Sequence, residues 1–312
     1  MRICFSAIGS GIANNGGSKT VLSCANVLSD LGHEVFVAST VWNFDWFKVK
    51  AKRINKLPKD VDAIIATAVS TVEPLVKFNT RAKKRWYLRG WETWGNPEEK
   101  MVNGVKSIKC ITNSEWLSEK VRSISGRKSP IIYPGIDDYF YKEERDRDDI
   151  VTIGGLYNSK KLKRFGLWKG IVAEVFSKRK IRVILFGDEP KPKLPFDFQY
   201  CRKPKPDQHR RLYNNCDIWF FTSSNEGLHI PPMEAGKCGC ALVGVDIGGV
   251  RDYAINNETA LLGHPGECLK NIFQLVDNCN FRERLSDNLL ELINSKIGNR
   301  QDNMRKLVEV LR

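Results

Sequence analysis

The sequence predicts an α/β protein built from two doubly wound halves. Three observations carry that expectation. The chain opens with an apolar run, a glycine-rich loop, an amphipathic stretch and a second apolar run, the β-α-β start of a nucleotide-binding domain. A second series of short apolar runs, each closed by glycine or small polar residues, starts at Ile150. Between the two, Lys142 to Asp149 carries no apolar residue at all. The domain limits expected are therefore 1–142 and 150–295, with a C-terminal helix in 296–312 that packs back on the first domain.

Taken in order, residues 2–8 read as a strand ended by Gly9-Ser10-Gly11, and residues 14–17 as a turn. A helix is expected over 18–31, because Val21, Leu22, Ala25 and Leu28 share one face and Gly32 supplies its stop. Residues 34–38 form the second strand. Further strands are expected at 62–66, 86–88, 107–112 and 130–133, with a helix at 115–123. The second half gives strands at 150–153, 182–186, 198–201, 218–221 and 241–245, and helices at 169–176 and 207–214. From Pro265 the chain reads as helical, ending with a helix over 301–311.

The chain has 312 residues, 42% apolar and 28% charged, which suits a globular protein of two ordinary domains. No apolar stretch approaches a membrane span, and Ile3 to Ile8 is too short for a signal sequence. A cytoplasmic protein, free or peripheral on a membrane, is expected. The nine cysteines show no zinc or redox spacing and read as reduced, buried thiols. The net charge of +14 suits an anionic partner: nucleotide phosphate, acidic lipid headgroup or nucleic acid. A solubilising surface accounts for it equally well.

The chemistry concentrates between Phe220 and Gly236. An apolar strand ends at Phe221, Thr222 to Asn225 leave the sheet, and Pro231 and Pro232 fall where a helix begins. A strand, a turn and a helix N-terminus make an anion site. Glu226 and Glu234 bracket it, eight positions apart. Phosphates at the centre and hydroxyls at both ends describe a nucleotide sugar.

These residues resemble the family 4 glycosyltransferases of the GT-B fold. Glu226 and Glu234 match the E-x7-E pattern, within a longer match from Glu226 to Ala235. Val243, Asp246, Gly248-Gly249-Val250 and Asp252-Tyr253 resemble the strand and turn that follow. Gly16-Gly17, Leu28, Gly32 and His33-Glu34-Val35 resemble the family's opening, and Thr112-Asn113-Ser114 with Tyr133-Pro134-Gly135-Ile136-Asp137 the end of its first domain. The likeness spans nearly the whole chain, loosely over 41–84 and tightly over 217–263. It implies two Rossmann-like doubly wound domains facing a central cleft. It also implies a nucleotide-sugar donor, no metal, no cofactor besides that donor, and retention of anomeric configuration. By the same resemblance, Glu226 contacts the donor sugar, Glu234 takes the ribose hydroxyls, and amides of Gly227, Leu228, His229 and Ile230 hold the diphosphate. Alone, Glu234 reads as a helix-surface carboxylate.

The family places an arginine, and a lysine five positions on, after the first strand of the second domain. Without a gap these fall on Gly155 and Lys160, which loses the arginine. With a loop nine residues longer they fall on Arg164 and Lys169, the register favoured here; a solvated basic loop is the alternative. Gly16 and Gly17 fail the P-loop spacing and read either as a tight turn or as a backbone approach to the donor diphosphate or the acceptor. In Trp86 to Trp94, the aromatic-plus-glutamate pattern resembles rhamnosyltransferase-like relatives, and Glu92 is the proton acceptor that pattern offers an incoming hydroxyl, with Arg89 beside it. A Trp-rich core corner is the equal alternative. His229 stands where the family more often has glycine. The triplets Asp60-Val61-Asp62 and Asp146-Arg147-Asp148 read as solvated carboxylates rather than metal ligands.

Aromatic and basic residues interleave from Trp42 to Arg53, and Arg81, Lys83, Lys84 and Arg85 add a second basic cluster. Such stretches suit an anionic membrane surface or stacking on nucleic acid, against the plainer reading of packed aromatics beside a solvated face. The function expected is transfer of a sugar from a nucleotide-sugar donor to a hydroxyl acceptor, on a cell-surface glycan or a lipid-linked precursor. Two alternatives stay open. One is a phage-type DNA glycosyltransferase acting on a modified base, since Met1-Arg2-Ile3-Cys4 resembles the start of one. The other is a non-catalytic binder of nucleotide sugars or polyanions.

Overall fold

A computed structural model describes residues 1–93, 95–144 and 149–312. The triplet at 146–148 and residue 94 lie outside the described residues. The chain forms two compact units, Met1–Gly135 with Asn299–Arg312, and Ile136–Gly298.

The first unit is a parallel sheet of β1 (Arg2–Ser6), β2 (Glu34–Ala38), β3 (Lys52–Ile54), β4 (Ala63–Ala66), β5 (Lys83–Leu88) and β6 (Cys110–Thr112), in the order β3-β2-β1-β4-β5-β6. Helices cover both faces, so the central strands are apolar without alternation: Ile3, Cys4, Phe5, Ile64 and Ile65 are all fully buried. The edge strand β3 exposes Lys52 and Arg53, charges that keep a free sheet edge from pairing. Its short charged sequence gives no strand pattern, and it was not anticipated. α1 (Gly16–Asp30) starts two residues earlier than expected, with Asn15 Oδ1 accepting from Ser18 N at 2.9 Å. α2 (Val72–Lys77), α3 (Glu98–Ser107) and α4 (Glu115–Ser125) complete the other face.

Two expected strands change here. Ser107 ends α3, so β6 begins only at Cys110. At 130–133 there is a single bridge, Ile131 to Thr112, rather than a strand. The C-terminal helix (Arg300–Leu311) buries Met304, Leu307, Val308 and Leu311 in the same core as Val21, Leu22, Ala25 and Leu28 of α1. Its Arg300 donates to the carbonyls of Pro134 (2.9 Å) and Gly135 (3.3 Å).

The first unit's first segment ends at Gly135, short of the expected residue 142, because the next residues pack into the second unit. The Phe140 ring lies 5.6 Å from Tyr213 and 5.3 Å from His209, and Glu143 N donates to Asn214 Oδ1 at 2.8 Å. The second unit repeats the parallel design with β7 (Thr152–Leu156), β8 (Arg182–Gly187), β9 (Gln199–Arg202), β10 (Ile218–Phe221), β11 (Ala241–Val245) and β12 (Ala260–Gly263), ordered β9-β8-β7-β10-β11-β12. Its helices are α5 (Phe165–Lys178), α6 (Pro206–Asn214), α7 (Ile230–Lys237), α8 (Cys268–Asp277) and α9 (Cys279–Leu292). Phe186, Tyr213 and Trp219 form an aromatic centre with ring centroids 4.9 to 5.5 Å apart. All nine cysteines are free thiols. No helix among the described residues is long and apolar enough to cross a membrane.

Candidate active site

In a doubly wound sheet, ligands bind beyond the carboxyl ends of the strands where the strand order reverses. In the second unit that point lies between β7 and β10, and the loops leaving these strands are stitched together. Thr222 Oγ1 donates to the carbonyls of Lys163 (2.9 Å) and Arg164 (3.2 Å). Ser224 donates to Leu162 O from its amide (2.8 Å) and from its hydroxyl (3.2 Å). Across this seam Lys163 Nζ donates to Glu226 Oε1. Behind Glu226, the backbone of Gly249 passes so close that a Cβ there would sit 2.5 Å from Glu226 O.

Burial pushes the Glu226 carboxyl up, but His229, Lys163 and hydrogen bonds from Lys163 and Ser223 outweigh it and hold the group below its ordinary 4.5. His229 Nε2 lies 3.9 Å from Glu226 Oε1. Burial pushes the His229 imidazole down to about 4, against the pull of Glu226, so the ring is neutral near pH 7 and the standing positive charge beside Glu226 is Lys163.

His229 is the N-cap of α7 with φ +54, a left-handed conformation that costs a side-chain residue about 1 kcal/mol or more. That backbone explains the glycine more usual at this position. The residue is 6% exposed, its Nδ1 has no hydrogen-bond partner among the described residues, and its carbonyl accepts from Tyr253 OH at 2.8 Å. The helix start is poorer in donors than the sequence suggests. Pro231 and Pro232 follow Ile230 directly and carry no N–H, so the amides left to the turn are those of Leu228, His229 and Ile230, which meet no backbone acceptor among the described residues. Glu234 lies one turn into α7, 4% exposed, with Oε2 accepting from Tyr213 OH at 3.0 Å. It is an interior carboxylate, not a helix-surface one.

Neither register's cations contact Glu226 among the described residues. Lys160, Arg164 and Lys169 are all exposed, and their side chains make no hydrogen bond or ion pair among the described residues. Gly155 has no room for an arginine, because a Cβ there would sit 2.7 Å from Trp168 Nε1, which donates to Phe220 O at 3.1 Å. The cation brought to Glu226 is Lys163, which the sequence reading passed over. The signal available was its place in the Lys160 to Arg164 run; what fixes it is the seam from Thr222 and Ser224, which spacing does not reveal.

In the first unit the reversal lies between β1 and β4. Gly16 and Gly17 are the exposed first two residues of α1, with nothing within 4 Å of a Cβ at Gly16. They are helical rather than part of a turn before the helix. Arg89, beyond β5, donates to Gly17 O (2.6 Å) and to Thr67 O (2.7 Å). Glu92 Oε2 accepts from Val69 N at 3.0 Å, and burial raises its carboxyl, with the Val69 N–H and Arg89 opposing. Asp60 pairs with the Arg2 guanidinium, and Asp62 Oδ2 accepts from the Arg2 backbone amide at 2.7 Å. The aromatics of the 42–53 stretch are not displayed: Phe44 is 7% exposed, and Trp42, Trp46 and Phe47 pack against the first unit's core.

Residues 199–291 match the family model described as glycosyl transferases group 1. No curated protein sequence matches the chain. Among solved structures it is similar to HepE of Anabaena in complex with UDP and glucose, with a TM-score of 0.80 and 16% identity over 100% of this chain and 99% of that one. It is similar to sucrose-phosphate synthase of Thermosynechococcus elongatus, at 0.78 and 13% over 99% and 98%. It is also similar to WaaG, a glycosyltransferase involved in lipopolysaccharide biosynthesis, at 0.73 and 10% over 99% of each chain. The fold is GT-B, and the group 1 domain, which contains both Glu226 and Glu234, makes the chain a glycosyltransferase.

Proposed function

We propose that the chain is a retaining, metal-independent glycosyltransferase of the family 4 type, moving a sugar from a nucleoside-diphosphate sugar to a hydroxyl acceptor on a glycan or lipid-linked precursor. The observation that carries this reading is the sealed reversal point of the second unit. There a charged carboxylate, Glu226, meets a cation, and the next turn carries the amides of Leu228, His229 and Ile230, which have no backbone acceptor among the described residues. A departing nucleoside diphosphate gathers negative charge, which fixed amides and an ammonium stabilise in a site of low polarity. HepE, similar in fold over its whole length, holds UDP and glucose, which supports a nucleoside diphosphate as the leaving group. Glu234 serves the ribose, and the start of α1 with Glu92 serves the acceptor. Retention comes from the family resemblance alone and is read from the anomeric configuration of the product.

The test is Glu234→Gln, which keeps an acceptor for Tyr213 OH and removes the charge. Affinity for the donor, found by thermal-shift screening of a nucleotide-sugar panel, is expected to fall about tenfold. Unchanged affinity and turnover would remove Glu234 from the site.

One further observation bears on the acceptor. The first unit carries 25 Lys and Arg against 13 Asp and Glu, whereas the second carries 25 against 23. That asymmetry favours an acceptor presented at an anionic surface such as a membrane. Cosedimentation with vesicles rich in acidic lipid, lost on neutral vesicles and weaker at high salt, is expected. Tighter binding to duplex DNA than to those vesicles would favour the nucleic-acid alternative instead.

A further inference from the structure

The cation at the reversal point is already engaged. Lys163 and Glu226 are each about one-fifth exposed, at 20% and 18%, and four hydrogen bonds across the seam fix the backbones that carry them. The ammonium therefore neutralises the carboxylate that the proposed reaction needs for the sugar.

We infer that Lys163 is a catalytic residue that exchanges partners, holding Glu226 while no donor is bound and turning to the donor's diphosphate when it arrives, which frees Glu226 for the sugar. This rests on the donor reading above and adds to it the order in which the charges are used. Three physical points support it. A carboxylate this far from water is costly unless paired, so something must hold Glu226 in the free protein. A diphosphate offers one ammonium more negative charge and more acceptor oxygens than a carboxylate does, so it competes well. Lysine suits an exchange: its charge is a compact point on a flexible four-carbon stem with three donors, whereas an arginine fork would lock bidentate onto Glu226. When Lys163 turns away, Ser223 still faces Glu226, and the hydroxyls of the arriving sugar take the place of the ammonium.

With Lys163 shared in this way, Glu226 competes with the diphosphate for one ammonium. Removing the carboxylate's charge should strengthen binding of a sugarless nucleoside diphosphate while abolishing transfer. Calorimetric titration of uridine, guanosine and adenosine diphosphates into the full chain tests it. Glu226→Gln is expected to bind the preferred diphosphate about fivefold more tightly than wild type, with turnover lost. Glu226→Asp, whose shorter carboxylate withdraws from Lys163, should show a smaller gain and guards against a Gln variant that fails to fold. Lys163→Met should bind about tenfold more weakly, and adding Glu226→Gln to it should restore nothing. Equal or weaker binding by both Glu226 variants overturns the exchange. So does a gain that persists without Lys163, because that would be plain relief of charge repulsion. If no diphosphate binds wild type, the donor reading itself fails, and the exchange with it.

Discussion

Each unit sets its first and fourth strands side by side where the sheet order reverses, and each ties the loops beyond them with one cation. In the first unit Arg89 holds the carbonyls of Gly17 and Thr67. In the second Lys163 holds the carboxylate of Glu226. The acceptors differ in kind. Backbone carbonyls are neutral, fixed and part of the fold, so a guanidinium spread over two of them acts as a strut. A carboxylate is a charged side chain that a ligand can replace as the lysine's partner. One strand order therefore carries a braced edge in the first unit and an exchangeable one in the second.

The largest expected effect tests how much the second unit's edge depends on packing beneath it. Gly155→Arg supplies the arginine of the ungapped register, and its Cβ would lie 2.7 to 2.9 Å from three atoms of the Trp168 indole. The ring cannot retreat without losing its bond to Phe220 O and its stacking on Phe165, whose centroid is 5.5 Å away. A loss on the order of 4 kcal/mol is expected in urea unfolding. Gly17→Ala in the first unit meets Asn15 Oδ1 at 3.3 Å and the Arg89 guanidinium only at ordinary contact distance, 3.8 to 4.0 Å, and should change stability by less than about 1 kcal/mol. Similar costs at the two glycines would break the comparison.

Acid should separate the units by sign. His229 is held at about 4 when folded against 6.5 ordinarily. As pH falls from 6.5 to 4 the unfolded chain takes a proton that the folded chain refuses, so up to about 3 kcal/mol of stability is lost. Glu226, lowered below 4.5, adds a further loss as pH falls from 4.5 through its folded value. Glu92 in the first unit is raised above 4.5, so the folded chain takes that proton first and acid favours its folded form. Hydrogen-exchange protection at pH 5 against pH 7 should therefore fall over 222–237 and hold over 67–92. His229→Asn, which tolerates the left-handed backbone, should flatten the dependence between pH 4 and 6.5. A uniform loss across both units would show that the buried His229 does not control it.

The architecture was legible because it is written in local patterns. Continuous apolar runs such as Ile218–Phe221 and Ala241–Val245 mark doubly covered strands, and Gly32 and Pro231 mark helix ends. Elements without such patterns were missed: β3 is charged and lies at an edge, and α3 buries only Met101, Gly104 and Val105, with Gly104 against the Trp86 ring. The site divides in the same way. Glu226 and Glu234 stand in a recognisable spacing, and the strained His229 shows as a departure from glycine. Lys163 could not be told from Lys160, Lys161 or Arg164, because a basic loop of five residues has no period. Its role comes from hydrogen bonds made by Thr222 and Ser224, some sixty positions away.

The smallest effect is the sharpest test of the strut. Arg89→Lys keeps the charge but replaces a planar fork with one point donor, which cannot span Gly17 O and Thr67 O together. One carbonyl would be left to find water. The loss is softened because Arg89 Nε is already buried without a partner among the described residues, so the substitution also removes an unsatisfied donor. A cost of about 1 kcal/mol in urea unfolding is expected, with nucleoside-diphosphate affinity within about twofold of wild type. If Arg89 were an exchangeable cation like Lys163, the pattern would reverse: stability would hold and diphosphate affinity would fall. Placing Arg89→Lys beside Lys163→Met in the same titration thus measures whether the two edges differ in use as they do in bonding.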